Sequence, residues 1–205
     1  GYFKMKILKL ILKLQVSILL LLLLTVSGCK SDFELNENLK GFSFTLSDQD
    51  GKTVKFPADQ KDKIIVVGFI FTHCPDICPL TVNNMQLVQN ALKTDGMDDV
   101  EFIAISFDPE RDTVALLKKF AALREIDERN FKFLTGTRKE IDSLMSVMRI
   151  VAVTGDTTMI DGSPSYFYTH TDRISIIDRR GFLRKEYPGS KANIEEIVND
   201  IKKLR

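Results

Sequence analysis

The sequence contains few of the residues that usually form metal and redox sites. Its 205 residues include no tryptophan, three cysteines and only two histidines, His73 and His170. Three cysteines cannot supply the two or more disulfides that staple many small secreted domains, and two histidines exclude a site built mainly from imidazoles. Metal or redox chemistry in this chain therefore depends on a small number of side chains.

The chain also lacks an excess of positive charge. It has 29 basic and 28 acidic residues, and 44% of its residues are hydrophobic, which is ordinary for a globular domain. The first 28 residues contain four of the 29 basic residues and no acidic one, so removing them leaves 25 basic against 28 acidic residues. Nucleic-acid binding needs a strongly basic surface, so we do not expect a nucleic-acid partner.

The N-terminal segment has the layout of an export signal. Four lysines precede the aliphatic run Ile18–Leu24, and Val26–Cys29 follows with small residues before a cysteine. This ending resembles a bacterial lipobox, so we predict a lipoprotein signal peptide over residues 1–28 and a lipid on Cys29. The alternative is an uncleaved membrane anchor over Ile7–Val26, although three polar residues would then lie within the span, namely Lys9, Lys13 and Gln15.

Both interpretations place the rest of the protein outside the cytoplasm. We expect residues 29–40 to be a polar linker, residues 41–205 to form one domain, and the protein to be held in the bacterial cell envelope, on the periplasmic or extracytoplasmic side. With Cys29 acylated, Cys74 and Cys78 remain in an oxidising compartment. An idle exposed pair of thiols would close into a disulfide there.

Apolar runs predict the elements of this domain. Ile64–Phe71 and Val100–Phe107 are apolar at both alternations, which is typical of central strands covered on both faces. The other predicted elements are an N-terminal hairpin (Phe42–Leu46 with Thr53–Phe56), a helix over Leu80–Leu92 with Pro79 at its first position, a helix from a cap at Asp112 to Arg124, a strand Phe131–Leu134, a helix from the capping box Thr137–Glu140 to about Met148, an inserted loop Thr154–Ser165, a hairpin of Arg173–Asp178 with Phe182–Tyr187, and a helix Asn193–Leu204. This order predicts an α/β domain with a mixed sheet and helices on both of its faces.

Cys74 and Cys78 follow the first central strand and lie near the start of the next helix. Residues four apart share one face of a helical turn, so both sulfur atoms can reach the same point, which suits either a disulfide or a shared metal ion. The helix dipole at this position favours thiolates. A purely structural disulfide is the simplest alternative, but a bridge across five residues closes too small a loop to stabilise the fold much.

Three features of the sequence resemble the Sco/SenC family. They are Phe71–Pro79, which reads FTHCPDICP, Asp108–Thr113, which reads DPERDT, and His170 placed eight residues before Asp178. The resemblance extends over about residues 41–204 and implies a thioredoxin-like, peroxiredoxin-like fold. Members of this family deliver copper during the assembly of cytochrome c oxidase. Thr169 stands before the histidine, where the family usually has aspartate.

The resemblance also implies the residues of a copper site. By position, Cys74, Cys78 and His170 would bind one copper ion, and Asp108 would act on a ligand from outside the coordination sphere. Two thiolates are soft donors that hold Cu(I), and an added imidazole makes the site able to hold Cu(II) as well. We expect His73 not to be a ligand, because its side chain should point away from that of its neighbour Cys74.

Three functions follow as hypotheses. The first is a membrane-tethered copper-binding protein that delivers copper to the binuclear centre in the copper-bearing subunit of cytochrome c oxidase. The second is an enzyme, a thiol–disulfide oxidoreductase that uses Cys74 and Cys78 as a redox pair to keep cysteines of the oxidase or of another copper protein reduced. The third is a copper or redox sensor that binds and signals. The first two are compatible, because copper can be moved only to reduced thiols.

Overall fold

The computed structural model describes residues 5, 13, 15, 33–155, 158–160 and 163–205, with the backbone alone described at 158–160 and 163–165. The chain divides into two units, Gly1–Glu34 and Leu35–Arg205. Within the first unit, the three described residues before position 33 are helical and exposed, namely Met5, Lys13 and Gln15. Cys29 and almost all of the predicted signal peptide lie outside the described residues, so the lipid site and these domain boundaries stay predictions. No helix within the described ranges is long and apolar enough to cross a membrane.

An eight-stranded mixed sheet forms the centre of the second unit. The strands in chain order are β1 (Glu37–Asn38), β2 (Phe44–Asp48), β3 (Thr53–Phe56), β4 (Ile64–Ile70), β5 (Val100–Ser106), β6 (Phe131–Thr135), β7 (Ala152–Thr154), β8 (Thr158–Ile160), β9 (Ser163–Ser165), β10 (Tyr168–His170), β11 (Arg173–Ile177) and β12 (Phe182–Pro188). The order across the main sheet is β1-β12-β11-β4-β5-β6-β2-β3. Strands β4, β5 and β6 run parallel and the other neighbouring pairs are antiparallel.

Four helices flank this sheet, as the predicted fold class requires. They are α1 (Ile77–Thr94), α2 (Val114–Leu123), α3 (Arg138–Val147) and α4 (Ile194–Lys203), and a 3₁₀ turn covers Ala58–Gln60. Helix α1 packs against α4 and against strands β4, β5 and β11, whereas α2 contacts β6 and α3 contacts β2. The predicted mixed sheet flanked by helices is therefore confirmed.

The core centres on the two apolar strands that the sequence predicts. All seven residues of β4 and all seven of β5 are buried. Gly68 in β4 allows α1 to approach closely, because a Cβ atom there would lie 2.9 Å from the Sδ atom of the buried Met85. This close packing fixes the helix that carries Cys78 against the strand that leads to Cys74.

Two predicted helix starts need correction. Thr113, not Asp112, is the N-cap of α2, since its side chain accepts from the Leu116 N–H group; Asp112 is fully buried and bonds elsewhere. Helix α1 begins at Ile77, so Pro79 is its third residue rather than its first. Proline is tolerated there because the N–H groups of a first turn have no partner within the helix.

The predicted inserted loop over Thr154–Ser165 is also only partly a loop. Strands β8 and β9 pair with each other inside it. Its first residue ends β7, which pairs antiparallel with β10, so that Ala152 lies opposite His170. We call this pair of strands the β7–β10 ribbon. It carries His170 beside the main sheet.

Candidate metal centre

Three donor atoms converge where β4 ends and α1 begins. The ligand atoms that Cys74, Cys78 and His170 offer all lie within 4.8 Å of one another. The Sγ atom of Cys78 is 3.4 Å from the Nε2 atom of His170, and the Cys78 N–H group donates to the Sγ atom of Cys74 over 3.4 Å. Both cysteines are free thiols. The fold thus brings together three residues that are up to 96 positions apart, since the histidine follows Cys78 by 92 residues and Cys78 follows Cys74 by 4.

The ring of His170 is held in one orientation. Its Nδ1 atom lies 2.9 Å from the carbonyl oxygen of Thr171. A carbonyl oxygen only accepts hydrogen bonds, so Nδ1 carries a proton, and in the neutral imidazole Nε2 then has a lone pair directed at Cys78. The rings of Phe71 and Phe107 pack around the imidazole, with centroids 6.0 and 4.9 Å from its own. This is the tautomer in which Nε2 of a histidine binds a metal ion.

The two thiols differ in their exposure. Cys78 is fully buried, whereas Cys74 is only partly buried. Burial raises the pKa of the Cys78 thiol well above its ordinary value; Cys74 and Asp172 raise it further, and a hydrogen bond with the Phe71 backbone opposes them. The expectation that the helix start favours a thiolate is therefore wrong for Cys78 without metal, because burial disfavours the charged form of this thiol.

The side chain of His73 faces away from the three converging ligand atoms. Its side chain is 50% exposed, and its Nδ1 atom lies 3.8 Å from a carboxylate oxygen of Asp112. The same nitrogen is 3.2 Å from the hydroxyl of Thr72, which donates its own proton to Asp112. Among the described residues, His73 does not join the converging ligand atoms.

Asp108 lies in a polar cluster next to the metal centre rather than on a ligand. The carboxylate is fully buried and pairs with Arg111, and it accepts hydrogen bonds from the hydroxyls of Tyr166 and Tyr168 over 3.2 and 3.4 Å. Tyr168 packs edge-on against Phe71, whose ring also contacts His170. Contacts through Tyr168 and Phe71 therefore link Asp108 to His170.

Asp112 holds the loop that carries the first thiol. Its buried carboxylate accepts hydrogen bonds from the Thr72 N–H group over 3.0 Å, the Thr72 hydroxyl over 2.5 Å and the Ser106 hydroxyl over 2.6 Å. Thr72 stands two residues before Cys74, and Ser106 ends β5. From the sequence, Asp112 is either a helix cap or a residue near the site, and the pairing of β4 with β5 shows that it lies near the site and identifies its partners.

Asp172 was not singled out in the sequence at all. Its carboxylate accepts from the Thr81 hydroxyl over 2.8 Å, from the Ser190 hydroxyl over 2.6 Å and from the Ser190 N–H group over 2.9 Å. We call these three residues the Asp172 clamp. It joins the first turns of α1 to the chain just after His170. An aspartate two residues after a proposed ligand is the only signal of it in the sequence.

Comparison with known proteins assigns a family to this fold and site. The SCO1/SenC family model matches residues 34–205 of the chain. Among curated proteins, the SCO1 protein homolog of Bacillus subtilis (strain 168) is 31% identical over 198 residues, which cover 95% of this chain and 96% of that protein.

Solved structures agree with this match. The structure of Bradyrhizobium japonicum ScoI with copper bound is 33% identical with a TM-score of 0.68, and the match covers 80% of this chain and 98% of that one. A structure of BsSco is 29% identical with a TM-score of 0.67, and the match covers 85% of this chain and 96% of that one. BsSco is described there as having a disulfide switch and as a member of the Sco family of cytochrome c oxidase assembly proteins.

Proposed function

Because the chain belongs to the SCO1/SenC family, we propose that it is a copper-binding protein of cytochrome c oxidase assembly and that Cys74, Cys78 and His170 hold one copper ion. The observation that carries the proposal is the convergence of the three ligand atoms within 4.8 Å of one another. The copper bound to B. japonicum ScoI and the description of BsSco as belonging to a family of oxidase assembly proteins support it.

The donor atoms fit copper as cargo. Two sulfur atoms are soft donors suited to Cu(I), and the lone pair on Nε2 of His170 adds a nitrogen donor that also suits Cu(II). Binding displaces the thiol protons, including the one that burial holds on Cys78. A set of three protein ligands leaves the ion accessible to an incoming ligand of an acceptor.

The arrangement suggests the direction from which an acceptor reaches the cargo. Cys78 is fully buried and the aromatic rings of Phe71 and Phe107 cover His170, whereas Cys74 is partly exposed. We therefore place the approach of the acceptor on the Cys74 side. The proposed acceptor is the binuclear copper centre in the copper-bearing subunit of cytochrome c oxidase, or another copper protein.

The lipobox-like sequence around Cys29 supports a membrane location for this activity. In our proposal a lipid on Cys29 tethers the chain in the bacterial cell envelope, and the predicted linker, residues 29–40, leads to a domain on the periplasmic or extracytoplasmic side. The end of this linker is part of the fold, since Glu37–Asn38 forms strand β1 and Leu39 is buried. In that compartment the two thiols need a reductant before copper binds.

A second function is favoured by the unequal exposure of the thiols. In a thiol–disulfide oxidoreductase, Cys74 as thiolate attacks a substrate disulfide and forms a mixed disulfide with one sulfur while the other leaves as a thiol. Cys78 then attacks Cys74, which releases the second substrate thiol and leaves the Cys74–Cys78 pair oxidised by two electrons. The substrate would be a cysteine pair of the oxidase or of another copper protein. The disulfide switch described for BsSco supports this candidate.

Anaerobic copper titration of the reduced full chain tests the first function. We expect one copper per chain for the wild type and for the matched control His73→Ala, with the Cu(II) spectrum changed and binding weakened in His170→Ala. Cys74→Ala and Cys78→Ala should lose tight binding of both oxidation states. If His170→Ala binds Cu(I) and Cu(II) as tightly as the wild type, the three-ligand site is wrong.

Disulfide exchange with the same variants tests the second function. An oxidoreductase keeps most of its exchange rate in His170→Ala, because both reacting sulfur atoms remain, and loses it in Cys74→Ala. Exchange that is no faster than that of a free thiol at equal pH would reject this candidate.

A further inference from the structure

A cleft of about 470 Å³ lies at the opposite end of the second unit from the metal centre. It is formed between the segment after β3 and the turn that joins β11 to β12, and Ile65, at the start of β4, lines it. Strand β4 runs from Ile64 to Ile70, and Cys74 follows its far end. Seven residues of strand extend over about 20 Å, so the cleft and the thiols are separated by the length of this strand.

Basic side chains dominate the cleft, which we call the basic cleft. Its charged lining residues are Lys40, Lys61, Arg179 and Arg180 against Asp62 and Asp178. Arg179 is paired with Asp99, but both lysines are exposed and the Arg180 side chain is 69% exposed. The carboxylate of Asp178 is buried, accepts from backbone N–H groups of its own turn and pairs with Arg180 over 3.4 Å. Asp62 is exposed, so the charges that solvent meets are those of Lys40, Lys61 and Arg180 against one carboxylate, and the surface is positive on balance.

The basic cleft also offers apolar and hydrogen-bonding surface. Phe42 is 42% exposed at its edge, and Pro57 lines it beside Ile65. Gln60 is 2% exposed and also belongs to the lining; within the described residues its Oε1 atom accepts no hydrogen bond. Such a surface suits an anion that brings hydroxyl groups and an apolar part, as a phospholipid headgroup with its glycerol does.

The chain enters the second unit at this same end. The Leu39 N–H group donates to the carbonyl of Gly181 over 2.9 Å, and β1 pairs with β12 so that Asn38 lies opposite Phe182. Lys40 follows directly, and its Cγ atom would lie 3.1 Å from a Cβ atom added at Gly181. The segment that leads in from the proposed lipid site therefore runs along the rim of the basic cleft.

We propose that the basic cleft binds headgroups of anionic phospholipids and so holds the domain against the membrane with the metal centre facing away from it. The inference rests on the tether proposed above. A tether keeps the basic cleft close to the bilayer, so a few positive charges are sufficient to bind anionic headgroups. An acceptor would then meet Cys74 about one strand length, roughly 20 Å, out from the surface of the domain that contacts lipid.

The absence of tryptophan allows a direct test. F42W gives the full chain a single tryptophan at the edge of the basic cleft. The chain is reconstituted in vesicles of phosphatidylcholine, with and without phosphatidylglycerol, whose acyl chains carry bromine as a quencher. We expect quenching to be several-fold stronger with phosphatidylglycerol and to weaken as salt is added, because salt screens exposed charges.

Charge reversal supplies the matched comparison. In the F42W background, Lys40→Glu with Lys61→Glu should reduce quenching to the level of phosphatidylcholine alone. Lys119→Glu with Lys139→Glu, which makes the same charge change at exposed lysines outside the cleft, should leave it unchanged. Equal quenching in both lipids, or equal loss in both double variants, would overturn the proposal.

Flotation of the same vesicles separates this inference from the proposed tether. A chain that floats with both lipids but shows no quenching specific to phosphatidylglycerol retains its tether, and the basic cleft is then not a lipid site. A chain that floats with neither lipid overturns both the tether and the inference that rests on it.

Discussion

The hydroxyl of Thr81 donates to the carboxylate of Asp172 over 2.8 Å, and this bond joins the two elements that carry proposed copper ligands. Thr81 stands three residues after Cys78 on α1, and Asp172 stands two residues after His170. The bond therefore fixes how far the buried sulfur lies from the imidazole. Ser190 strengthens the clamp with two hydrogen bonds to the same carboxylate.

Thr81→Val should speed the release of copper while leaving the three ligands intact. It keeps the shape of the side chain and removes the hydroxyl, which bonds to Asp172 and also lies 3.0 Å from the Ile77 carbonyl oxygen, at a cost of about 1 kcal/mol of unfolding free energy. The measurement is the dissociation rate of Cu(II) into a chelator. Thr94→Val is the matched control, since its hydroxyl bonds only to Asn90 of the same helix. Equal release rates in the two variants would contradict a positioning role for the clamp.

Gly189→Ala should disrupt the clamp by crowding it. A Cβ atom there would lie 2.2 Å from an oxygen of Asp172 and 2.8 Å from the hydroxyl of Thr81. Such overpacking typically costs about 1–3 kcal/mol, which urea unfolding would detect. Gly41→Ala serves as the control, because a Cβ atom there meets nothing within 4 Å. A Gly189→Ala protein as stable as the control would refute the clamp geometry.

Alkylation should distinguish the two thiols of the reduced, metal-free protein. Cys74 is partly exposed, whereas Cys78 is buried with its pKa raised. We expect iodoacetamide to modify Cys74 at least tenfold faster, because the thiolate is the reactive form and must be reached by the reagent. Mass spectrometry of Cys74→Ser and Cys78→Ser, each with one remaining site thiol, measures the two rates. Faster modification of Cys78 would show that the helix start does favour its thiolate.

The raised pKa of Cys78 also predicts a pH dependence of stability. The folded state holds this proton more tightly than the unfolded state, in which the thiol has a pKa of about 8.5. The stabilising contribution is therefore fully present below about pH 8.5 and is lost as the pH rises toward the folded-state pKa. Unfolding free energy of the reduced, metal-free wild type should fall over this range more steeply than that of Cys78→Ala. Parallel pH profiles would mean that burial does not raise this pKa.

Asp112→Ala should lower the free energy of unfolding far more than Glu110→Ala, a change at a nearby exposed residue. It leaves the Thr72 N–H group and two hydroxyls without their acceptor, at a cost of roughly 2 kcal/mol or more. Glu110→Ala removes an ion pair with Arg138 from a side chain that is 53% exposed, and such pairs contribute about 0–1 kcal/mol. Urea unfolding compares the two variants, and similar midpoints would contradict a structural role for Asp112.

The sequence predicts the parts of this fold that rest on local patterns. The unbroken apolar runs of β4 and β5 identify the centre of the sheet, and the Thr137 and Asn193 side chains cap α3 and α4 at their predicted starts. The motif around Cys74 and Cys78, the DPERDT motif and the spacing of His170 together indicate the family, which the family model confirms.

The features that the sequence did not predict depend on contacts between distant segments. Asp112 is near enough to α2 to cap it, but burial against Thr72, 40 residues away, gives it another role. Asp172 and Thr81 are separated by 91 residues, and no pattern within either segment marks them as partners. The raised pKa of Cys78 likewise comes from its burial by the whole fold. Its position at the start of a helix predicts a lowered pKa instead.

The β7–β10 ribbon carries one proposed ligand outside the main sheet. Cys74 and Cys78 belong to the β4–α1 connection inside the main sheet assembly, whereas His170 belongs to a ribbon whose strands pair with each other in a sheet of their own. A small outward hinge of the ribbon would lower the coordination number of a bound ion from three to two without breaking a hydrogen bond of the main sheet. Such a movement would turn unloading into a change in the number of ligands, and it would be resisted by the Asp172 clamp and by the rings of Phe71 and Phe107 that pack on His170.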